Sequence, residues 1–97
     1  MTSNGTDLVE NNTVVKTCRE IAVSGDISRI SEIIDFSIAY TLRARQEMNE
    51  GIVENNANKF KFADYHLKCI VEINKCLDAL VLKINGVQPS YSWTFNK

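Results

Sequence analysis

The single histidine of this 97-residue chain, His66, is the residue best suited to acid–base chemistry. It lies on the apolar side of a predicted helix, one turn before Ile70. A histidine in such a position acts as a base or a ligand, or it is a core or interface residue that is hydrogen-bonded to a neighbour. We favour the hydrogen-bonded residue. A metal site needs several ligands and no second histidine exists, so we expect neither a metal centre nor a cofactor.

The other residue types that carry chemistry do not form a catalytic motif. Cys69 and Cys76 are separated by about 10 Å along a helix, which is too far for two sulfurs to bind one ion. No serine lies in a GxSxG turn, and the four glycines are too scattered for a phosphate-binding loop. Glu47 and Glu50 are expected to be solvated. The sequence therefore predicts a protein that is not an enzyme.

Basic and aromatic residues alternate at the predicted start of the last helix, where Lys59, Lys61 and Tyr65 lie. Helix N-termini attract anions, and aromatic rings stack on bases. Together with Arg43, these residues are candidates for a nucleotide contact. The alternative is that Phe62 packs inward while the lysines are solvated, and this alternative is the one we favour.

Arg45 fits the apolar pattern least well. It lies at the centre of the apolar stripe of the second predicted helix, in line with Ile34 and Ile38. A cation on an apolar face is costly unless it is paired or reaches solvent. Arg45 therefore either extends to solvent at a fraying helix end or is an interface or ligand cation. Ser37 and Asn74 also interrupt apolar stripes, and they either determine register and oligomeric state or are hydrogen-bonded locally.

Apolar periodicity places these residues on three predicted helices. The first covers about residues 12–23 and is capped by Asn12 or Thr13. The second starts at Asp26 and ends near Gly51, although the apolar pattern can extend it further. Its apolar stripe spans about half of the circumference, so we expect two neighbours, one of them from another subunit. The stripe consists of Ile27, Ile30, Ile34, Ile38 and Leu42, flanked by Ile33, Tyr40, Ala44 and Met48.

The third predicted helix covers residues 58–85, with Asn58 as its cap and Gly86 as its stop. The helices together predict an all-α fold in one domain of residues 1–97. Its architecture is an antiparallel hairpin of two long helices plus a short N-terminal helix. Residues 1–6 are expected to be flexible. The apolar seam of the third helix consists of Ala63, Leu67, Ile70, Ile73, Leu77, Val81 and Ile84.

The C-terminal segment 89–97 has a different pattern. Tyr91, Trp93 and Phe95 alternate with small polar residues, which places three rings on one side of an extended chain. An isolated strand is not stable, so the segment must pack on the helices, on a partner subunit or on a ligand, or else remain disordered. The sequence predicts an extended aromatic arm that acts as a docking element.

Composition narrows the choice of partner. The net charge is −1 and no apolar stretch of about 18 residues is present, so neither nucleic acid nor a membrane is expected. The absence of a signal-peptide pattern and of a CxxC pair predicts a cytoplasmic protein with reduced thiols. The layout resembles that of small phage and bacterial proteins, some of which inhibit host proteins while others sequester cyclic nucleotides.

We therefore predict a homo-oligomeric, non-catalytic helical protein that binds or inhibits a protein partner. The alternative is an oligomeric binder of a nucleotide or cyclic nucleotide. The candidate contact residues for either function are Arg43, Arg45, Lys59, Lys61, Tyr65, His66, Tyr91, Trp93 and Phe95.

Overall fold

Four α-helices and one 3₁₀ turn make up the part of the chain that the structure describes. A computed structural model describes residues 5–86, with the side chains of residues 8–86. The predicted all-α fold, built on a hairpin of two long helices, is confirmed. The predicted aromatic arm, residues 89–97, lies outside the described residues. The helices are α1 (Gly5–Glu10), α2 (Thr13–Ser24), α3 (Ile30–Glu54) and α4 (Ala57–Asn85), and the 3₁₀ turn is Ile27–Arg29.

Polar and glycine residues end the shorter elements as the sequence predicts, with one exception. Asn12 caps α2, and Gly25 ends it in the left-handed conformation, with a φ of 72°. Glycine adopts this conformation without the steric cost that a Cβ atom imposes. Asp26 was expected to cap the second predicted helix, but it caps the 3₁₀ turn instead, and α3 begins at Ile30.

The turn between α3 and α4 comes later than Gly51, where the sequence suggests a helix end. Gly51 lies inside α3, and a Cβ atom at this position would be 3.0 Å from the ring of Phe60. The glycine therefore permits close packing and does not end the helix. Asn55 ends α3 with a left-handed φ of 52°. Asn56, and not the predicted Asn58, caps α4.

The core lies on one side of the hairpin, where α2 packs against α3 and α4. Arg19 of α2 adds ion pairs to Glu10 of α1 and, at 2.9 Å, to Glu72 of α4. Burial raises the pKa of the Cys18 thiol to about 11, so this thiol is protonated at neutral pH. The buried cluster consists of Val9, Val15, Cys18, Ile21, Ile33, Cys69, Ile73, Cys76 and Leu80.

The buried side of α3 is not the predicted centre of its apolar stripe. Ile33 and Ala44, which the sequence places on the flank, are 0% and 2% exposed. Ile38 and Leu42, which it places at the centre, are 53% and 57% exposed. The helix is therefore rotated about its axis relative to the prediction, and its flank packs against α4 and α2.

Candidate functional site

A polar cluster joins α2, α3 and α4 near the start of α2. Its members are Asn12, Tyr40, Glu47, Tyr65 and His66. Nδ1 of His66 is 2.8 Å from Oε1 of Glu47, and the two side chains are 12% and 16% exposed. The His66 ring lies edge-on to the rings of Tyr40 and Tyr65, with both centroid distances at 5.1 Å. The hairpin thus encloses the chain's one histidine between aromatic rings and a carboxylate.

Asn12 connects this cluster to the backbone of α2. Its Oδ1 accepts a hydrogen bond of 2.9 Å from the backbone N–H of Val15, which is the capping bond of the helix. Its Nδ2 donates to the hydroxyl of Tyr65 at 2.7 Å and to that of Tyr40 at 3.1 Å. Burial raises the pKa of the Tyr65 hydroxyl, although the Asn12 hydrogen bond acts in the opposite direction. Asn12 therefore forms hydrogen bonds to the N-terminus of one helix and to two side-chain hydroxyls at once.

His66 and Glu47 form an imidazole–carboxylate pair. A carboxylate on Nδ1 can orient an imidazole for proton transfer through Nε2, as in catalytic triads. Among the described residues, the partners of His66 are Glu47 and the rings of Tyr40 and Tyr65. The hydroxyls of both tyrosines accept hydrogen bonds from Asn12. The contacts of His66 correspond to the hydrogen-bonded histidine that we favour from the sequence, and they tie α3 to α4.

Replacing Asn12 by alanine should lower the free energy of unfolding by about 2 kcal/mol, because the α2 cap and the hydrogen bonds to Tyr40 and Tyr65 are lost together. Asn56→Ala is the matched control: it removes a cap whose bond, to the N–H of Asn58, lies on the surface. It should cost about 1 kcal/mol. Urea unfolding followed by circular dichroism measures both. Equal losses would contradict a linking role for Asn12.

Of the basic residues considered for an anion site, Lys59 pairs with a carboxylate, and Arg43 lies in the same cleft. Nζ of Lys59 is 2.9 Å from Oε1 of Glu50. Hydrogen bonds from Gln46 and Lys59 lower the pKa of Glu50. Lys59 and Arg43 line one cleft, and Glu47 and Glu50 line the same cleft. Two carboxylates thus balance two cations there, which does not favour an anionic ligand.

The remaining candidates lie elsewhere. Lys61 and Tyr65 line a different cleft together with Asp64. Arg45 is exposed on a third surface. The structure therefore brings Arg43 to Lys59 and Lys61 to Tyr65, but it does not unite the two pairs. Tyr91, Trp93 and Phe95 lie outside the described residues.

The side of the hairpin away from α2 is apolar and exposed. α2 contacts the side of α3 that carries Phe36 and Tyr40. At about 100° per residue, Ile38 projects from roughly the opposite side of α3. Leu67 projects from the side of α4 opposite Cys69 and Cys76, which pack in the cluster with α2, so it lies on the same side of the hairpin as Ile38. We call this surface the open face. Its five apolar side chains are 40–57% exposed, and its members are Ile34, Ile38, Leu42, Arg45, Met48 and Leu67.

Arg45 is the charged member of the open face. It lies nine residues before the end of α3, so the fraying helix end considered from the sequence does not apply to it. Its side chain is exposed and forms no hydrogen bond or ion pair with another residue of the range 8–86. The polar residues in the α3–α4 seam differ in this respect, because Oγ of Ser37 donates to Oδ1 of Asn74 at 3.0 Å.

Sequence reasoning missed Glu47 as the partner of His66, because it treated this carboxylate as solvated. The signal is the position of the turn. In an antiparallel hairpin, residues at equal distances from the turn lie opposite each other. A turn at residues 55–56 places Glu47 near His66 and Glu50 near Lys59, and both pairs are observed.

Comparison with known proteins adds no assignment. The chain matches no protein-family model, and neither a curated protein nor a solved structure shows significant similarity to it. Among the described residues, no three His, Cys, Asp or Glu side chains are grouped so that they could hold a metal ion. No helix within the described range has the length and apolar character needed to cross a membrane.

Proposed function

We propose that this protein is a non-catalytic interaction module whose open face packs against another protein chain. The observation that carries the proposal is the asymmetry of the hairpin. α2 covers one side, whereas the other exposes five large apolar side chains at 40–57% of their area. Contiguous exposed apolar surface on a small protein is typical of protein–protein interaction sites, because burying it releases free energy.

An interaction surface of this kind implies activity through binding alone. A module that only binds acts by occupying a surface of its partner, so it inhibits that partner or recruits it. A cytoplasmic location agrees with Cys18, Cys69 and Cys76, which are free and buried thiols. Nucleotide binding remains the alternative, and the carboxylates beside Arg43 and Lys59 do not add support for it.

Site-specific photo-crosslinking tests the proposal. The photoreactive residue p-benzoylphenylalanine is placed at position 42, on the open face, in cells that express the protein. The matched control places it at position 43, which is also exposed but lies about 100° away around α3, in the polar cleft. We expect a protein adduct from position 42 and little or none from position 43.

The mass of the adduct identifies the partner. An adduct of twice 11.0 kDa contains a second copy, and any other mass contains a different protein. Either result supports an interaction module. The proposal fails if position 42 yields no more adduct than position 43.

A further inference from the structure

We propose that the occupant of the open face is a second copy of this chain, with α3 packed antiparallel to α3 of the partner subunit. The two-fold axis lies at the level of Tyr40. This inference rests on the proposed function and names its partner. Three features of α3 lead to it: two unpaired charges of opposite sign, an apolar centre between them, and the size of the face.

The two charges are Arg45, a member of the open face, and Asp35, which lies at the edge of this face about 20° around α3 from Leu42. Both are exposed, and neither forms an ion pair or hydrogen bond with another residue among those described. They are ten residues apart in one helix, which is about 15 Å at about 1.5 Å per residue. Their midpoint is Tyr40. Rotation about a two-fold axis at this level brings each Arg45 to the level of Asp35 of the partner subunit.

The same charges argue against parallel packing. A parallel pair would place the two Arg45 side chains at one level and the two Asp35 side chains at another, and like charges at close range repel. Antiparallel packing replaces both repulsions by two symmetric attractions. Charge complementarity of this kind selects the orientation and register of an interface.

The apolar residues agree with this register. The axis that pairs Asp35 with Arg45 also brings Ile38 to the level of the partner subunit's Leu42. These two side chains are 53% and 57% exposed, and they lie between the charges. Along the helix axis, the resulting interface has apolar contacts at its middle and one charge pair on each side of them, and a centre with few charges is typical of stable protein interfaces.

The side of the hairpin that carries the open face is large enough for a dimer interface. A helix of 25 residues is about 37 Å long, and two helices packed side by side are about 20 Å across. This side of the hairpin therefore has an area of roughly 700 Å². A standard interface buries about 800 Å² on each partner, so a dimer of this size needs nearly the whole side of the hairpin, with the open face along α3 at its middle.

Charge reversal tests the register. Arg45→Asp and Asp35→Arg should each weaken the dimer about tenfold or more, because each variant places like charges together at two symmetric positions. The double variant R45D/D35R should restore the wild-type dissociation constant to within about threefold, because it exchanges the two charges within each pair and so restores opposite charges at both positions. Sedimentation velocity over a concentration series measures the constants, and circular dichroism confirms that each variant is folded.

Arg43→Asp is the control, because Arg43 is an exposed arginine of the same helix outside the open face, and it should leave the dissociation constant unchanged. The inference is overturned if the double variant stays as weak as the single variants, or if Arg43→Asp weakens the dimer equally. A monomeric wild type also overturns it, whether residues 87–97 or another protein covers the face. If another protein covers the open face, position 42 forms an adduct with that protein. The proposed function then stands although the second-copy inference fails, so the failure of one proposal can be told from the failure of the other.

Discussion

Replacing both Ile38 and Leu42 by glutamate is expected to weaken association through the open face by about a thousandfold or more. Each substitution removes an apolar side chain from the centre of the contact and introduces a carboxylate there, and in a symmetric dimer each change occurs twice. Burying an unpaired charge costs more than the lost apolar contact. Light scattering after size exclusion, at micromolar concentration, should therefore give the monomer mass of 11.0 kDa.

The fold itself should tolerate this double substitution, because both side chains are more than half exposed in the single chain. The matched control is Val23→Glu with Ala79→Glu. Both residues are exposed and line a cleft beside α2, away from the open face, so the control adds the same charges elsewhere. It should keep the wild-type mass. If both double variants dissociate alike, net charge and not the open face controls association.

Ile73→Ala should have the largest effect on stability of any single truncation that we consider. Ile73 is fully buried in the cluster that joins α2 to the hairpin, beside Ile21 and Ile33 among others. Truncation removes apolar contacts and leaves a cavity, at a cost of about 3 kcal/mol. For a domain of this size, that loss lowers the melting temperature by about 15 °C.

Thermal unfolding followed by circular dichroism measures this shift, with all samples at one protein concentration because association contributes to stability. Val23→Ala is the control, since a residue that is 86% exposed should lose less than about 0.5 kcal/mol. A shift below about 3 °C for Ile73→Ala would contradict the core described here, because it would mean that Ile73 is not closely packed.

The helices of this fold were predictable because their signals are local. Periodicity identifies the two long helices, and Asn12, Gly25 and Gly86 mark ends by forming hydrogen bonds to nearby backbone or by adopting a left-handed φ. The turn at Asn55 was not predictable in the same way. Gly51 carries the stronger local signal for a helix end, but the packing of Phe60 on it is a contact between two helices.

The division of α3 into a buried side and an open face was also beyond the sequence. Ile33 and Ile34 are adjacent identical residues, yet the first is 0% and the second 40% exposed. Periodicity shows that α3 has a broad apolar surface, and within the chain α3 contacts both α2 and α4. It cannot say which part α2 covers, because that depends on how three helices pack together.

The candidate site shows the same limit. His66 was recognisable as a histidine in an apolar seam, but its partner Glu47 depends on where the hairpin turns. Arg45 was recognisable as a cation within an apolar stripe. The sequence could not show that Arg45 has no partner among the described residues, or that Asp35, ten positions away, has none either. Both facts depend on the contacts in the folded chain.

The mass of the wild-type protein in solution tests the central claim most directly. Light scattering over concentrations from about 1 to 100 µM, the range in which stable dimers with a standard interface persist, requires no variant and no ligand. If the open face binds a second copy, the mass is twice 11.0 kDa and falls only on dilution. A mass of 11.0 kDa at every concentration would contradict self-association through the open face.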